Sequence, residues 1–174
     1  MVIRGKLFAL VAAVLAAFTI TTGATVAQAA PASPGGATPS PLGTPPPLSE
    51  AKAAATVRAL GYTPTSTGGY DPARDLSVIV GYNSAAVDGH PQEAFLFHLG
   101  RLVGPAASPS AGVRWLWSTG DTVAIGYDLY KPDDPLCCAT GGAATVRFHW
   151  TGDHVEALDP LPSTDWSAPL SRRG

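Results

Sequence analysis

Two adjacent cysteines, Cys137 and Cys138, and two histidines across a short turn, His149 and His154, are the residues of this 174-residue chain whose types and spacing bear most directly on chemistry. Neighbouring Cα atoms lie about 3.8 Å apart across a trans peptide, below the roughly 4.4 to 6.8 Å of a relaxed disulfide. A bond between them closes almost no loop and removes almost no unfolded-state entropy. Three states stay open for the pair: a vicinal disulfide Cys137–Cys138, a bond to another molecule, or two thiols. Redox catalysis needs a thiolate activated by a helix start or a nearby cation, usually in a Cys-x-x-Cys frame. Here the pair sits between the turn Pro132–Pro135 and the glycines Gly141 and Gly142, so a structural pair is expected.

The remaining constellations are thinner. Zinc could recruit Cys137 and Cys138 with His90, His98, His149 or His154, but adjacent ligands lack the usual spacing of a tetrahedral site. His149 and His154, with Asp153 and Glu156 nearby, could make an acid–base pair, yet nothing supplies a nucleophile or an oxyanion hole. Asp133 and Asp134 fall far short of a calcium loop. Trp115 and Trp117 stand at period-two spacing, the pattern of a sugar platform or of core packing. With Phe97 and Phe148 they would line a pocket for a lipid or glycan. No catalytic, cofactor-binding or metal residue is assigned. The expectation is a non-enzymatic binding or structural domain. The alternative is a small secreted hydrolase or thiol-redox enzyme using His149/His154 or Cys137/Cys138.

These residues need elements to position them. Leu76–Tyr82, Ala94–Leu99, Val113–Trp117, Thr122–Tyr130, Thr145–Trp150 and His154–Leu158 are short, β-branched or aromatic, and bounded by turn residues, which predicts strands. Leu102 and Val103 add a short return strand. The connections STGD (118–121) and TGD (151–153) demand hairpins. Alternation puts Val123, Ile125, Tyr127 and Leu129 on one face, and Val146, Phe148 and Trp150 on one face of theirs. Leu48–Leu60 predicts the one helix, capped by Ser49 and ended by Gly61, with Leu48, Ala51, Ala55, Val57 and Leu60 as a weak apolar stripe. The fold class is therefore α+β: one N-terminal helix on an antiparallel, meander-like sheet of about six to seven strands, spanning 48–162.

The flanks read differently. Arg4 and Lys6 precede the apolar run Leu7–Ile20, and Ala27-Gln28-Ala29 fits a small-residue cleavage site, so residues 1–29 read as an export signal cut near Ala29. The run is shorter than the ~20 residues of a membrane span, so no transmembrane helix is expected in the mature chain. Residues 30–47, rich in Pro, Gly, Ser and Thr, read as a disordered linker. Residues 163–174 read as a flexible tail. Acidic residues outnumber basic ones, 13 to 11, without a basic block, which argues against nucleic acid as a partner.

An ordered set of motifs carries a resemblance. AFLFHLGR (Ala94–Arg101), DTVAIGYDLY (Asp121–Tyr130), the double cysteine followed by TGG (Thr140–Gly142), TVRFHW (Thr145–Trp150) and ALDPLP (Ala157–Pro162) resemble the LppP/LprE-type lipoproteins of actinobacteria over roughly 76–162. The resemblance implies a small α+β domain of the cell envelope with no catalytic residues to carry over. The chain lacks the lipobox cysteine of such proteins, and Ala139 stands where proline commonly follows the pair. Export without a lipid anchor, to the medium or the cell wall, is the resulting expectation, with an envelope component as partner.

Overall fold

The continuous apolar run LSVIVGY has no polar face to offer, and the fold accommodates it by covering both sides of its strand. The computed structural model describes residues 44–174. The expected signal (1–29) and most of the expected linker lie outside the described residues. Helix α1 (Glu50–Ala59) is followed by strands β1 (Tyr62–Ser66), β2 (Ser77–Asn83), β3 (Gln92–His98), β4 (Arg101–Pro105), β5 (Val113–Ser118), β6 (Thr122–Asp128), β7 (Ala143–Trp150) and β8 (Val155–Ala157). They form two four-stranded antiparallel sheets, each in sequence order: β1-β2-β3-β4 and β5-β6-β7-β8.

The α+β class and the antiparallel meander hold, with eight strands divided between two sheets instead of six or seven in one. The division falls at the irregular segment 106–112, which breaks the ladder between β4 and β5. Strand β1 was hidden by Pro64, which lacks a ladder donor and is tolerated because β1 is an edge strand.

Between the sheets lies the main core: Leu76, Val78, Val80, Ala94 and Leu96 from the first sheet face Val113, Val123, Ile125, Tyr127, Val146 and Phe148 from the second. The faces read from alternation in β6 and β7 are the ones buried here. On the other side of the first sheet, Ile79, Phe95 and Phe97 pack with Tyr70 against Ala53, Ala54 and Val57 of α1. The buried helical face thus differs from the expected stripe. Ala51, Ala55 and Leu60 are exposed and only Val57 is fully shared, because small side chains at 53 and 54 let the helix sit close to the sheet. Ser49 occupies the N-cap without a side-chain cap bond, and Gly61, at φ +87°, ends the helix.

The ends are tied down more than their composition suggests. Leu48 donates its N–H to Gly100 O at 3.2 Å, and the Arg101 guanidinium bonds Pro45 O, so the last linker residues rest on the β3–β4 hairpin. The C-terminal segment 163–174, expected to be flexible, is docked. Ser171 pairs with Tyr130 through two backbone hydrogen bonds, 2.8 and 2.9 Å, and Ala111 N–H reaches the carbonyls of Arg172 and Arg173. Arg172 and Arg173 are each only 4% exposed. Their stems are apolar and, Arg173 Nε apart, their donor nitrogens find carbonyls or serine hydroxyls, which a count of charges does not reveal.

Candidate functional site

Cys137 and Cys138 are joined by a disulfide, with Cα atoms 3.8 Å apart, at the exposed tip of the loop between β6 and β7. The loop has other fastenings. Asp134 accepts the N–H groups of Lys131 and Thr140, each at 2.8 Å, and the Thr140 hydroxyl at 2.7 Å. Those bonds, led by the Thr140 N–H, lower the pKa of its carboxyl. With its acceptors spent on its own loop, Asp134 has little left for a cation. Tyr130 donates its hydroxyl to Leu136 O at 2.9 Å, and the Cys138 N–H reaches Pro135 O at 3.0 Å.

The two histidines do not form one site. His149 lies on the outer face of the second sheet, its Nδ1 3.2 Å from the Thr122 hydroxyl and 3.8 Å from Asp121. His154 sits on the β7–β8 turn and is bonded to Asp153 at 2.6 Å, with the Thr151 hydroxyl at 3.0 Å. Each histidine therefore has its own carboxylate. Bonds from Thr122 and Thr119 lower the Asp121 pKa, and bonds from His154 and Thr151 lower that of Asp153. Among the described residues no group of three or more His, Cys, Asp or Glu side chains has metal-site geometry.

The four aromatics expected to share a pocket are dispersed. Phe97 is buried on the helix side of the first sheet, and Phe148 lies between the sheets. Trp115 is half-buried, packs on the main core and donates Nε1–H to Ser118 Oγ at 2.8 Å, whereas Trp117 is 43% exposed. A bulge separates the two tryptophans: Trp115 pairs with Ile125 and Trp117 with Ala124. The extra residue between them reverses the period-two expectation and sends them to opposite faces.

A different surface is concave. The sheets meet at β2, β3, β5 and β6, leaving a cleft of about 340 Å³ between edge strands β4 and β8. Leu96, Val103, Gly104, Pro105 and Ala106 line one wall, while Phe148, Val155, Ala157 and Leu161 line the other. None of these side chains is charged or hydrogen-bonding. Val103 and Leu161 remain 46% and 43% exposed. Of the residues read as ligand-facing from the sequence, Phe148 alone reaches this cleft. The signal that could have found it was the clustering of uncharged residues at two strands far apart in the chain.

A second hollow, of about 220 Å³, lies beside the C-terminal strap and is lined by Asp88, His90, Pro91, Ala111, Leu136, Trp166, Arg173 and Gly174. Arg173 lies between two rings, its guanidinium carbon 4.8 Å from the Tyr130 centroid and 4.7 Å from that of Trp166. Arg172 lies 5.5 Å from the Tyr127 centroid. Burial raises the Tyr127 phenol to about 12 and lowers the pKa of Arg172.

Residues 68–153 match the LppP/LprE lipoprotein family. Among curated proteins, one from Mycobacterium leprae (strain TN) bearing the name lipoprotein LprE is 36% identical over 99 residues, covering 54% of this chain and 44% of the relative. The matched part thus spans less than half of that relative. No solved structure matches significantly. The family match covers β2 to β7, both cysteines and most of the main core. It leaves out α1, β1, β8 and the C-terminal segment.

Proposed function

We propose that this LppP/LprE-type protein is an extracytoplasmic, non-enzymatic binding domain that takes the hydrocarbon part of an envelope lipid in the cleft between β4 and β8. The family match supports envelope association. The observation that carries the ligand class is the uncharged lining of the cleft, with Val103 and Leu161 left half open to solvent. Water gains nothing from those side chains, and covering them returns roughly 25 cal/mol per Å² of apolar surface. The volume falls in the roughly 300–1,000 Å³ range of small-molecule sites. A glycan is the poorer occupant, since its hydroxyls would meet no polar side chain there. The exported chain is released after signal removal. This part of the reading is supported by the sequence, whose two cysteines, Cys137 and Cys138, lie far beyond the expected cleavage site at Ala29.

Native mass spectrometry of the full chain with palmitate and with phosphatidylglycerol tests this reading. Both Val103→Asp and Leu161→Glu should abolish adducts while leaving the melting curve unchanged. Adducts that persist in both variants, or none in the parent protein, would sink it.

A further inference from the structure

The disulfide between Cys137 and Cys138 stands open to solvent, with both residues exposed. Adjacency keeps the two Cα atoms about 3.8 Å apart, short of the relaxed range, and bonds so placed are the more readily reduced ones. The loop around the pair does not depend on it. Asp134 accepts three hydrogen bonds from Lys131 and Thr140, Tyr130 donates to Leu136 O, and Arg173 donates to the carbonyls of Lys131, Pro132 and Asp134. Opening the S–S bond breaks none of these. Beside the pair lies the hollow of about 220 Å³, which Leu136, the residue before Cys137, lines together with Pro91, Ala111 and Trp166. Trp166 is 53% exposed. Leu170, 44% exposed, adds apolar surface at the foot of the same loop, where its Cδ2 lies 2.6 Å from the point at which a Gly141 side chain would begin.

We propose that Cys137–Cys138 is a thiol–disulfide exchange site, reduced by a dithiol oxidoreductase that docks on the hollow between Leu136 and Trp166. The chain is the substrate of this exchange, so the activated thiolate belongs to the partner. That thiolate attacks one sulfur, the S–S bond breaks, and a mixed disulfide forms while the displaced cysteine takes a proton. The partner's second thiolate then attacks the mixed disulfide, closes the partner's own disulfide and releases the other cysteine, which is protonated in turn. Two electrons and two protons pass to the pair, and the partner's dithiol is oxidised. Adjacency also selects a dithiol over a monothiol. The displaced cysteine sits beside the mixed disulfide at high effective concentration and expels a monothiol, whereas a second thiol on the partner competes on equal terms. The hollow shares no lining residue with the β4–β8 cleft, so the exchange site stands apart from the lipid reading.

Reduction of the full chain in native buffer, quenched by alkylation and read by intact mass, tests the site. Dithiothreitol should reduce the pair at a rate within about tenfold of that in denaturant, and glutathione at equal thiol concentration should leave at least about tenfold less chain reduced. Reduced thioredoxin is the partner probe. It should act at least about tenfold faster than dithiothreitol at equal dithiol concentration, because docking orients its thiolate. Trp166→Ala should slow thioredoxin by about tenfold or more and leave the dithiothreitol rate unchanged. The ratio of the two rates within one variant removes any effect of a loosened strap. A bond that resists dithiothreitol until the chain unfolds, full reduction by glutathione, no reduction by thioredoxin, or an unchanged rate ratio in Trp166→Ala would each overturn the proposal.

Discussion

Arg147 holds Asp159 with two parallel hydrogen bonds, Nε to Oδ2 and Nη2 to Oδ1, both 2.8 Å, while its own backbone N–H reaches Oδ2 at 2.9 Å. The pair fastens the segment after β8 to β7, and the Leu158 N–H completes the attachment through Arg147 O at 2.8 Å. Leu161, two residues beyond Asp159, is a wall of the apolar cleft. An exposed ion pair adds little to global stability, so its consequence is local.

Asp159→Asn should therefore speed amide exchange at Leu158 and weaken lipid retention in the cleft without a large change in melting temperature. Acid should do the same. Hydrogen bonds from Arg147 hold the Asp159 carboxyl at about 2, below its ordinary 3.8. With the folded pKa depressed, the fastening is fully present above about pH 4 and is lost as the pH falls toward 2. Exchange at Leu158 that stays constant between pH 5 and pH 2.5, after correction for intrinsic rates, would disconnect the pair from the cleft wall.

Glu93 makes the opposite pH argument. It is buried in β3, and desolvation raises its pKa, with a Tyr62 hydrogen bond partly offsetting the shift. Below the unfolded value of about 4.3 both states are protonated and the residue contributes nothing. As the pH rises through the elevated folded pKa, ionising Glu93 costs the native state more than the unfolded chain. Glu93→Gln should raise the melting temperature at pH 7 and leave it unchanged near pH 4. A gain of equal size at both pH values would mean that charge is not the cause.

The sequence made the interior strands legible and left the concave surfaces hidden. Val78, Val80, Leu96, Val123, Ile125, Val146 and Phe148 announce themselves by type and alternation, so their strands and buried faces follow from local pattern. Strand β1 was masked by Pro64, and a single bulge at Leu116 undid the shared face expected for Trp115 and Trp117. The division into two sheets depends on segment 106–112, where Ser110 bridges back to Gln92 and the chain leaves the first ladder. The docking of the strap is hard to read because Arg172 and Arg173 carry the mark of a surface tail while all the carbonyl partners of their side chains except Pro162 lie more than 30 residues away. Both hollows are built from segments distant in the chain, and no local pattern encodes them.

Maturation is accessible to one measurement. If Ala27-Gln28-Ala29 is read as a cleavage site by the export machinery, the mature chain begins near Ala30, and intact mass of secreted material gives that terminus directly. Material recovered from the medium or a salt-washed wall fraction with that mass is the expected outcome. A membrane-bound chain retaining Met1 would show that the apolar run Leu7–Ile20 serves as an anchor.

The cysteine pair separates loop shape from fold stability. Cys137 and Cys138 close no loop of consequence, whereas a bridge across a 15-residue loop is worth about 3 kcal/mol in the chain-entropy treatment. The surrounding loop is held independently by Asp134, by the Tyr130 hydroxyl on Leu136 O, and by Arg173 on three carbonyls. Replacing both cysteines with serine should thus leave the fold intact, with a stability loss below about 1 kcal/mol, while exchange quickens at Cys138 and its neighbours. Asp134→Ala removes three hydrogen bonds at once and should loosen the same loop more than the double serine variant does. The Cys138 N–H bond to Pro135 O gives a local reporter for both. Non-reducing intact mass comes first, because it separates an internal bond from two thiols and from a covalent dimer. Should the double serine variant fail to fold, or the loop prove more mobile there than in Asp134→Ala, the disulfide and not Asp134 would be its principal fastening.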